Sequence, residues 1–277
     1  MVLHLIGLGL GDERDIMVKG LELVRKADIV YLEHYTSILG VDIDQLRSFY
    51  DKEILLAERD LVEQEAEEAL LVPAKTKDVC LLVVGDPFGA TTHTDLVLRA
   101  RELGVTVDVV HNASIMNAIG IVGLELYKYG RTTSIPFWEP GFEPMTPYDA
   151  IRENKERGLH TLCLLDIKVK ELPKEELLQQ KGGGEETIIA VPRFMSIQVA
   201  LRQLLKMEEM RKEGVILPGT LVVGVARLGQ PDQKVVAGTV EELKDINFGE
   251  PLHSIIVPGT LQIVEEEALG MWRIKKA

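Results

Sequence analysis

The sequence predicts an α/β protein made of two α/β domains. Three observations carry that expectation. The first half alternates short apolar runs with amphipathic stretches, the apolar runs are continuous, and a glycine-rich turn follows the first of them. Alternating strand and helix signals imply strands joined through helices. Continuous apolar strands suit a parallel sheet covered on both faces. The length of 277 residues suits two domains, divided as 1–110 and 111–277.

In the first domain the pattern predicts strands over 2–8, 29–33, 54–57, 78–84 and 105–110, with helices around 17–26, 60–71, 94–103 and 114–125. In the second, strands are expected over 133–137, 161–166, 220–227, 234–239 and 254–257. These later strands crowd together, which favours antiparallel pairs. The clearest helix is 196–213, where Ile197, Ala200, Leu201, Leu204 and Leu205 share one face. Ser196 reads as its N-cap and Gly214 as its stop. Residues 171–180 read as a short polar helix, and Lys181-Gly182-Gly183-Gly184-Glu185-Glu186 has the composition of a mobile surface loop.

Apolar residues make up 46% of the chain and aromatics only 5%, so the core is aliphatic. No apolar run reaches the roughly 20 residues that span a bilayer. Met1-Val2-Leu3-His4-Leu5-Ile6 reads as a first strand and not as a signal peptide. A soluble cytoplasmic protein is expected. The net charge of −13 repels phosphate backbones, so no nucleic-acid partner is expected; solubility alone also accounts for it. Cys80 and Cys163 lie in apolar runs without CxxC spacing, and no His/Cys/Asp/Glu group has metal-ligand spacing.

The most informative segment is Ile6-Gly7-Leu8-Gly9-Leu10-Gly11-Asp12, between a strand and a helix. A dinucleotide fingerprint needs G-x-G-x-x-G. Here the third glycine comes one residue early, and Asp12 stands where it belongs and would repel a pyrophosphate. Glu33, at the end of the second strand, mimics a ribose-binding acid. The turn alone leaves open a nucleotide-containing ligand or a plain tight turn. S-adenosylmethionine fits it better than NAD, because it carries adenosine without phosphate. Gly85-Asp86-Pro87-Phe88-Gly89-Ala90-Thr91-Thr92-His93 follows a later strand, where parallel sheets present their ligand edge. Asp86 suits an ammonium or a ribose hydroxyl, while Thr91 and Thr92 suit helix capping equally well. Asn112 or Ser114 can cap the next helix, and Gly249-Glu250-Pro251-Leu252-His253-Ser254 leads into a late strand.

With these segments in hand, the chain resembles the class III, tetrapyrrole-methylase-type methyltransferases, and within them the diphthine synthase family. The finer resemblance runs in order through Leu5–Asp12, Val18-Lys19-Gly20-Leu21-Glu22, Tyr35-Thr36-Ser37, the 85–93 segment and His111–Ile115. It continues through His160-Thr161-Leu162, Leu165-Asp166-Ile167-Lys168, Ala226-Arg227 and Gly249–His253. Phe88 and Asp166-Ile167-Lys168-Val169-Lys170-Glu171 look like the eukaryotic members. Met17 departs from the hydroxyl residue usual before Val-Lys-Gly, which puts that helix cap in doubt.

The resemblance implies two domains with S-adenosylmethionine folded in the cleft between them and S-adenosylhomocysteine as product. It carries Leu10, Asp86, Gly89, Ser114, Ile115, Leu165, Leu228 and His253 over as cofactor-binding positions. It implies a homodimer acting on translation elongation factor 2, where a 3-amino-3-carboxypropyl chain on a modified histidine is methylated, with four transfers in the eukaryotic-type members and three in the archaeal-type ones. Such chemistry rests on positioning, so no single catalytic residue is nominated. His93 is within reach as a base, and water would serve equally. His4 reads as structural, and His34 and His160 as solvent or capping residues. The competing readings are a tetrapyrrole C-methyltransferase, an NAD-dependent oxidoreductase using Gly7, Gly9 and Glu33, and a non-catalytic scaffold that binds elongation factor 2.

Overall fold

The computed structural model describes residues 1–33, 39–168 and 192–274. His34, the 35–37 block and the expected helix and loop across 171–186 lie outside the described residues. The chain forms two compact units: Met1–Ile121 with Arg227–Gln233, and Val122–Ala226 with Lys234–Ala277.

The strands, in chain order, are β1 (Leu3–Gly7), β2 (Ile29–Glu33), β3 (Leu55–Ala57), β4 (Val79–Val83), β5 (Val107–Val110), β6 (Thr133–Ile135), β7 (Thr161–Leu165), β8 (Ile167–Lys168), β9 (Arg193–Phe194), β10 (Leu221–Ala226), β11 (Lys234–Thr239) and β12 (His253–Val257). In the first unit they form a parallel sheet ordered β3-β2-β4-β1-β5. β1 and β4 are buried at every position, as their unbroken aliphatic runs require. From β1 the chain crosses towards β2; from β4 it crosses the other way to β5. Right-handed crossovers in opposite directions send the following helices to opposite faces. The loops after β1 and β4 therefore diverge at the switch point of the sheet, where α/β proteins bind ligands.

The expected first helix forms over Val18–Lys26, and Met17 at its N-cap makes no side-chain cap bond. Ile43–Tyr50 is helical although the pattern did not mark it; the Asp42 carboxylate caps it through the Gln45 N–H at 2.8 Å. The helix expected over 60–71 is broken into Arg59–Glu63, a π turn at Glu67–Leu71 and Val72–Ala74. The helix expected over 114–125 shortens to Ile115–Ala118 followed by a 3₁₀ turn at Ile119–Val122.

In the second unit the sheet order is β11-β10-β12-β7-β6. β6 pairs with β7 in parallel, and the other three pairings are antiparallel, as the crowding of strands implies. Helix Ile197–Arg211 buries Ile197, Ala200, Leu201 and Leu204 in a core shared with Tyr148, Cys163 and Phe248. Ser196 caps it by accepting from the Val199 N–H at 3.3 Å. The helix stops at Lys212, in the left-handed region at φ 57°, two residues before the expected glycine. Its end is set by the Glu208 carboxylate, which accepts from the backbone N–H groups of Gly214, Val215 and Ile216 at 2.7, 2.8 and 2.9 Å and from the Tyr148 hydroxyl at 2.8 Å.

His160 corrects its expected surface position: it is 0% exposed. Its Nε2 lies 2.9 Å from Glu265 Oε1, and its Nδ1 accepts from the Gly259 N–H at 3.0 Å. Glu265 also pairs with Lys128 and accepts from the backbone of Glu125 and Gln262. Burial pushes its carboxyl upward, but these donors outweigh burial and hold it down at about 2. Among the described residues, no helix is long and apolar enough to cross a membrane.

This cluster makes a pH prediction. A depressed carboxyl stabilises the fold above its unfolded value and loses that contribution as pH falls through the folded one. Urea unfolding is expected to show Glu265→Gln less stable than the parent by roughly 3 kcal/mol at pH 7. The difference should close as the pH drops from about 4.5 towards about 2. Burial, the largest influence on His160, lowers its pKa from 6.5, so acid also costs stability through that ring below about pH 6.5.

Candidate functional site

The two loops at the switch point are joined through glycine backbone. The Gly9 N–H donates to the Gly85 carbonyl at 3.2 Å, and the Gly85 N–H donates to the Gly9 carbonyl at 2.7 Å. Both residues have positive φ, 76° and 83°. Gly7 is needed for close approach, because a Cβ there would stand 2.6 Å from the Gly85 carbonyl oxygen and 2.8 Å from the Asn112 Cβ. The Asn112 amide donates to the carbonyls of Gly7 and Asp15 at 3.0 and 2.9 Å, tying the end of β5 to the first turn.

The first turn is held by two carboxylates. The Gly11 N–H donates to Asp15 Oδ2 at 2.8 Å, and Asp12 accepts from the Arg14 backbone at 2.9 Å while pairing with its guanidinium. Arg227–Gln233 reaches the same turn: a Cβ on Gly229 would lie 2.7 Å from the Leu10 Cβ, and one on Gly11 would lie 2.8 Å from the Gly229 carbonyl. That contact sets the loop carrying Leu228 against Leu10.

The second turn brings Asp86, Gly89, Ser114 and Ile115 together. Asp86 Oδ1 accepts from the Phe88 N–H at 2.9 Å, and its Oδ2 from the Asn112 N–H at 3.0 Å and from His111 Nδ1 at 2.9 Å. Burial alone would raise this carboxyl; the donors outweigh it and hold it below the usual range. A carboxylate has about four acceptor sites, so roughly one stays available. A Cβ on Gly89 would stand 2.5 Å from Ser114 Oγ. Ser114 caps the short helix that begins at Ile115: its Oγ accepts from Met116 N, and Asn117 Oδ1 accepts from the Ser114 N–H at 2.8 Å.

Leu165 and His253 belong to the second unit. Ser254 pairs with Leu164 in the antiparallel β12–β7 register, so the next residues, His253 and Leu165, face each other at one end of that sheet. The His253 ring is fixed by the Ile197 N–H at 3.4 Å and by the Glu250 carbonyl at 3.0 Å.

The structure adds a pairing that the sequence did not disclose. His93 Nε2 lies 3.0 Å from Glu33 Oε2, and its Nδ1 lies 2.8 Å from the Pro87 carbonyl. The two residues are 2% and 3% exposed. Both ring nitrogens are committed, so His93 is a strut beneath the second turn and does not serve as a base. Glu33 is committed inward as well, which removes the ribose-binding acid that the dehydrogenase reading needs. No local signal announces such a pair, because the two residues meet only when β2 and β4 align.

Burial would lower the His93 pKa, but the Glu33 carboxylate and the Pro87 carbonyl raise it overall. A raised histidine stabilises fully below its unfolded value and loses that contribution as pH rises through the folded one. Chemical denaturation between pH 6 and about 9 is expected to show the parent losing stability with rising pH and Glu33→Gln lacking that slope. At pH 6 the variant should be weaker by about 3 kcal/mol. Equal slopes in the two proteins would refute a charged pair.

Comparison with known proteins gives this arrangement its family. Residues 2–244 match the family described as Tetrapyrrole (Corrin/Porphyrin) Methylases. The chain is 50% identical to a diphthine methyl ester synthase of Dictyostelium discoideum, covering 100% of both chains. It is 49% identical to one of Homo sapiens, covering 99% of this chain and 95% of the relative. A crystal structure of a diphthine synthase superposes with a TM-score of 0.82 at 34% identity, covering 99% of this chain and 96% of the other. Two α/β units, a glycine turn held by two carboxylates and full-length likeness to these enzymes lead to one assignment: the chain belongs to the tetrapyrrole methylase family, in its diphthine methyl ester synthase group, and is a methyltransferase.

Proposed function

We propose that this chain transfers methyl groups from S-adenosylmethionine to the 3-amino-3-carboxypropyl chain of a modified histidine on translation elongation factor 2. Four transfers give diphthine methyl ester, with S-adenosylhomocysteine as co-product. The observation that carries the cofactor reading is the closed first turn. The Gly9 and Gly11 N–H groups are spent on the Gly85 carbonyl and the Asp15 carboxylate, with Asp12 beside them. Phosphate needs free backbone donors and a positive field; here these two donors are taken, and two carboxylates, Asp12 and Asp15, stand at the turn. An adenosine that bears cations and no phosphate suits that donor set.

In this reading Leu10, Ile115, Leu165 and Leu228 supply apolar walls and backbone contacts. Ser114 offers a hydroxyl, Gly89 a close backbone approach, Asp86 its remaining acceptor site, and His253 a backbone contact to the adenine. S-adenosylmethionine supplies an electrophilic methyl on a sulfonium, which leaves without acid assistance. The chain's part is orientation in a dry site. Each nitrogen methylation releases a proton, and water accepts it, since both nitrogens of His93 are held. The carboxylate step releases none. Full-length relatives at about half identity weigh against a tetrapyrrole acceptor. The reading extends to a cytoplasmic homodimer, and exposed apolar residues of the second unit, Leu126, Tyr127, Ile263 and Val264, support a self-association surface.

Mass spectrometry of elongation factor 2 carrying the unmethylated intermediate is expected to show four methyl additions after incubation with enzyme and S-adenosylmethionine. An unchanged factor alongside a methylated precorrin or uroporphyrinogen would overturn the assignment. By calorimetry, Gly89→Ala is expected to weaken S-adenosylmethionine binding by at least ~10-fold, or about 1.4 kcal/mol, because its Cβ displaces the turn from Ser114.

A further inference from the structure

The first unit contains a cavity of about 330 Å³. That volume is at the small end of the roughly 300–1,000 Å³ range of ligand pockets. Its polar wall is Glu63, Thr92, His93, Asp95 and Arg99, and its apolar wall is Val62 and Leu96. Glu63 belongs to the helix that follows β3, and the other polar residues follow β4. The cavity thus stands at the C-terminal edge of the parallel sheet, the edge that receives ligands. It shares one loop with the candidate cofactor residues: the 85–93 loop starts with Asp86 and Gly89 against Ser114 and ends with Thr92 and His93 in the cavity wall.

We propose that this cavity receives the ammonium- and carboxylate-bearing chain of the methyl acceptor. The proposal rests on the function given above and adds the residues that recognise its substrate. The wall carries two carboxylates, Glu63 and Asp95, against one guanidinium, Arg99. The buried His93–Glu33 pair is compensated within itself, Asp95 is paired with Arg99 at 2.9 Å, and Glu63 meets Arg59 at the longer distance of 3.8 Å, so Glu63 is the carboxylate most open to a second cation. An amine that becomes a quaternary ammonium cannot shed its charge and has no N–H to donate, so carboxylates beside an apolar wall suit it. Arg99 is held in place, with Nε 2.9 Å from Asp95 Oδ2 and Nη2 donating to the Val62 carbonyl at 3.0 Å. A fixed guanidinium suits the acceptor's carboxylate. Glu63 lies 3.8 Å from Arg59 Nε, a long contact near the surface. His93 closes the base of the cavity as a rigid wall, because both of its nitrogens are occupied.

Two variants test the assignment, with the full enzyme and elongation factor 2 bearing the unmethylated intermediate. The double change Glu63→Gln with Asp95→Asn alters only partly exposed side chains. It is expected to raise KM for the factor by ~10-fold or more with kcat little changed, the signature of lost uniform binding. The dissociation constant for S-adenosylmethionine, measured by calorimetry, should stay within about twofold. Thr92→Trp fills the cavity from an exposed position and is expected to abolish transfer while S-adenosylmethionine binding persists. If the factor's KM is unchanged in the double variant and Thr92→Trp still transfers, the cavity assignment fails alone. It also fails if cofactor affinity drops in step with the factor's. A wild-type enzyme that binds S-adenosylmethionine yet leaves the factor unmethylated would overturn the functional reading, and this inference with it.

Discussion

Two backbone hydrogen bonds between Gly9 and Gly85 hold the turn after β1 to the turn after β4. The candidate residues of the first unit depend on that exchange. It joins the two loops where the sheet's crossovers diverge, and it needs glycine at both positions because both φ values are positive. With the turns joined, Asn112 can reach the carbonyls of Gly7 and Asp15, and Asp86 can gather donors from its own turn and from the end of β5. The Leu228 loop then closes on Leu10 through Gly229. A side chain at Gly7 or Gly89 would separate these contacts before any ligand arrived.

A second theme is the internal use of carboxylates. The chain is acidic overall, yet the carboxylates around the turns are spent on protein donors: Asp15 on Gly11, Asp12 on Arg14, Asp86 on three donors, Glu33 on His93. The second unit follows the same pattern. Glu208 collects three backbone N–H groups and a tyrosine hydroxyl, and Glu265 collects Lys128, His160 and two backbone groups. A buried carboxylate is tolerable only when its acceptor sites are filled. Glu33, Asp86, Glu208 and Glu265 therefore gather segments distant in sequence, whereas Asp12 and Asp15 act within their own turn. At the first turn the result is a backbone whose Gly9 and Gly11 donors are taken by protein acceptors.

Much of this could be read from the sequence, and the exceptions have physical causes. Helices Ile43–Tyr50 and Thr146–Glu156 escaped notice although each has an apolar face: the first is only eight residues long, and Pro147 at the start of the second reads locally as a breaker. The helix expected over 114–125 stops early because Gly123 takes φ 90° and packs on Ala268, a constraint from across the second unit. Gly214 looked like a helix stop, but Glu208 draws the chain down from Lys212 before it is reached.

By itself the sequence determined the fold class, the five strands of each main sheet and the family. Unbroken aliphatic runs and glycine spacing are local properties, and so many ordered motifs leave one family in view. It also disfavoured a dinucleotide turn, through the early third glycine and Asp12. Only the tertiary structure decided what the titratable residues do. His160 sits in the core, His93 is a strut without a free nitrogen, and Glu33 faces inward, because each is fixed by a partner that the sheet alignment or a chain crossing supplies. A charge's role depends on what surrounds it, and those neighbours are set by the fold.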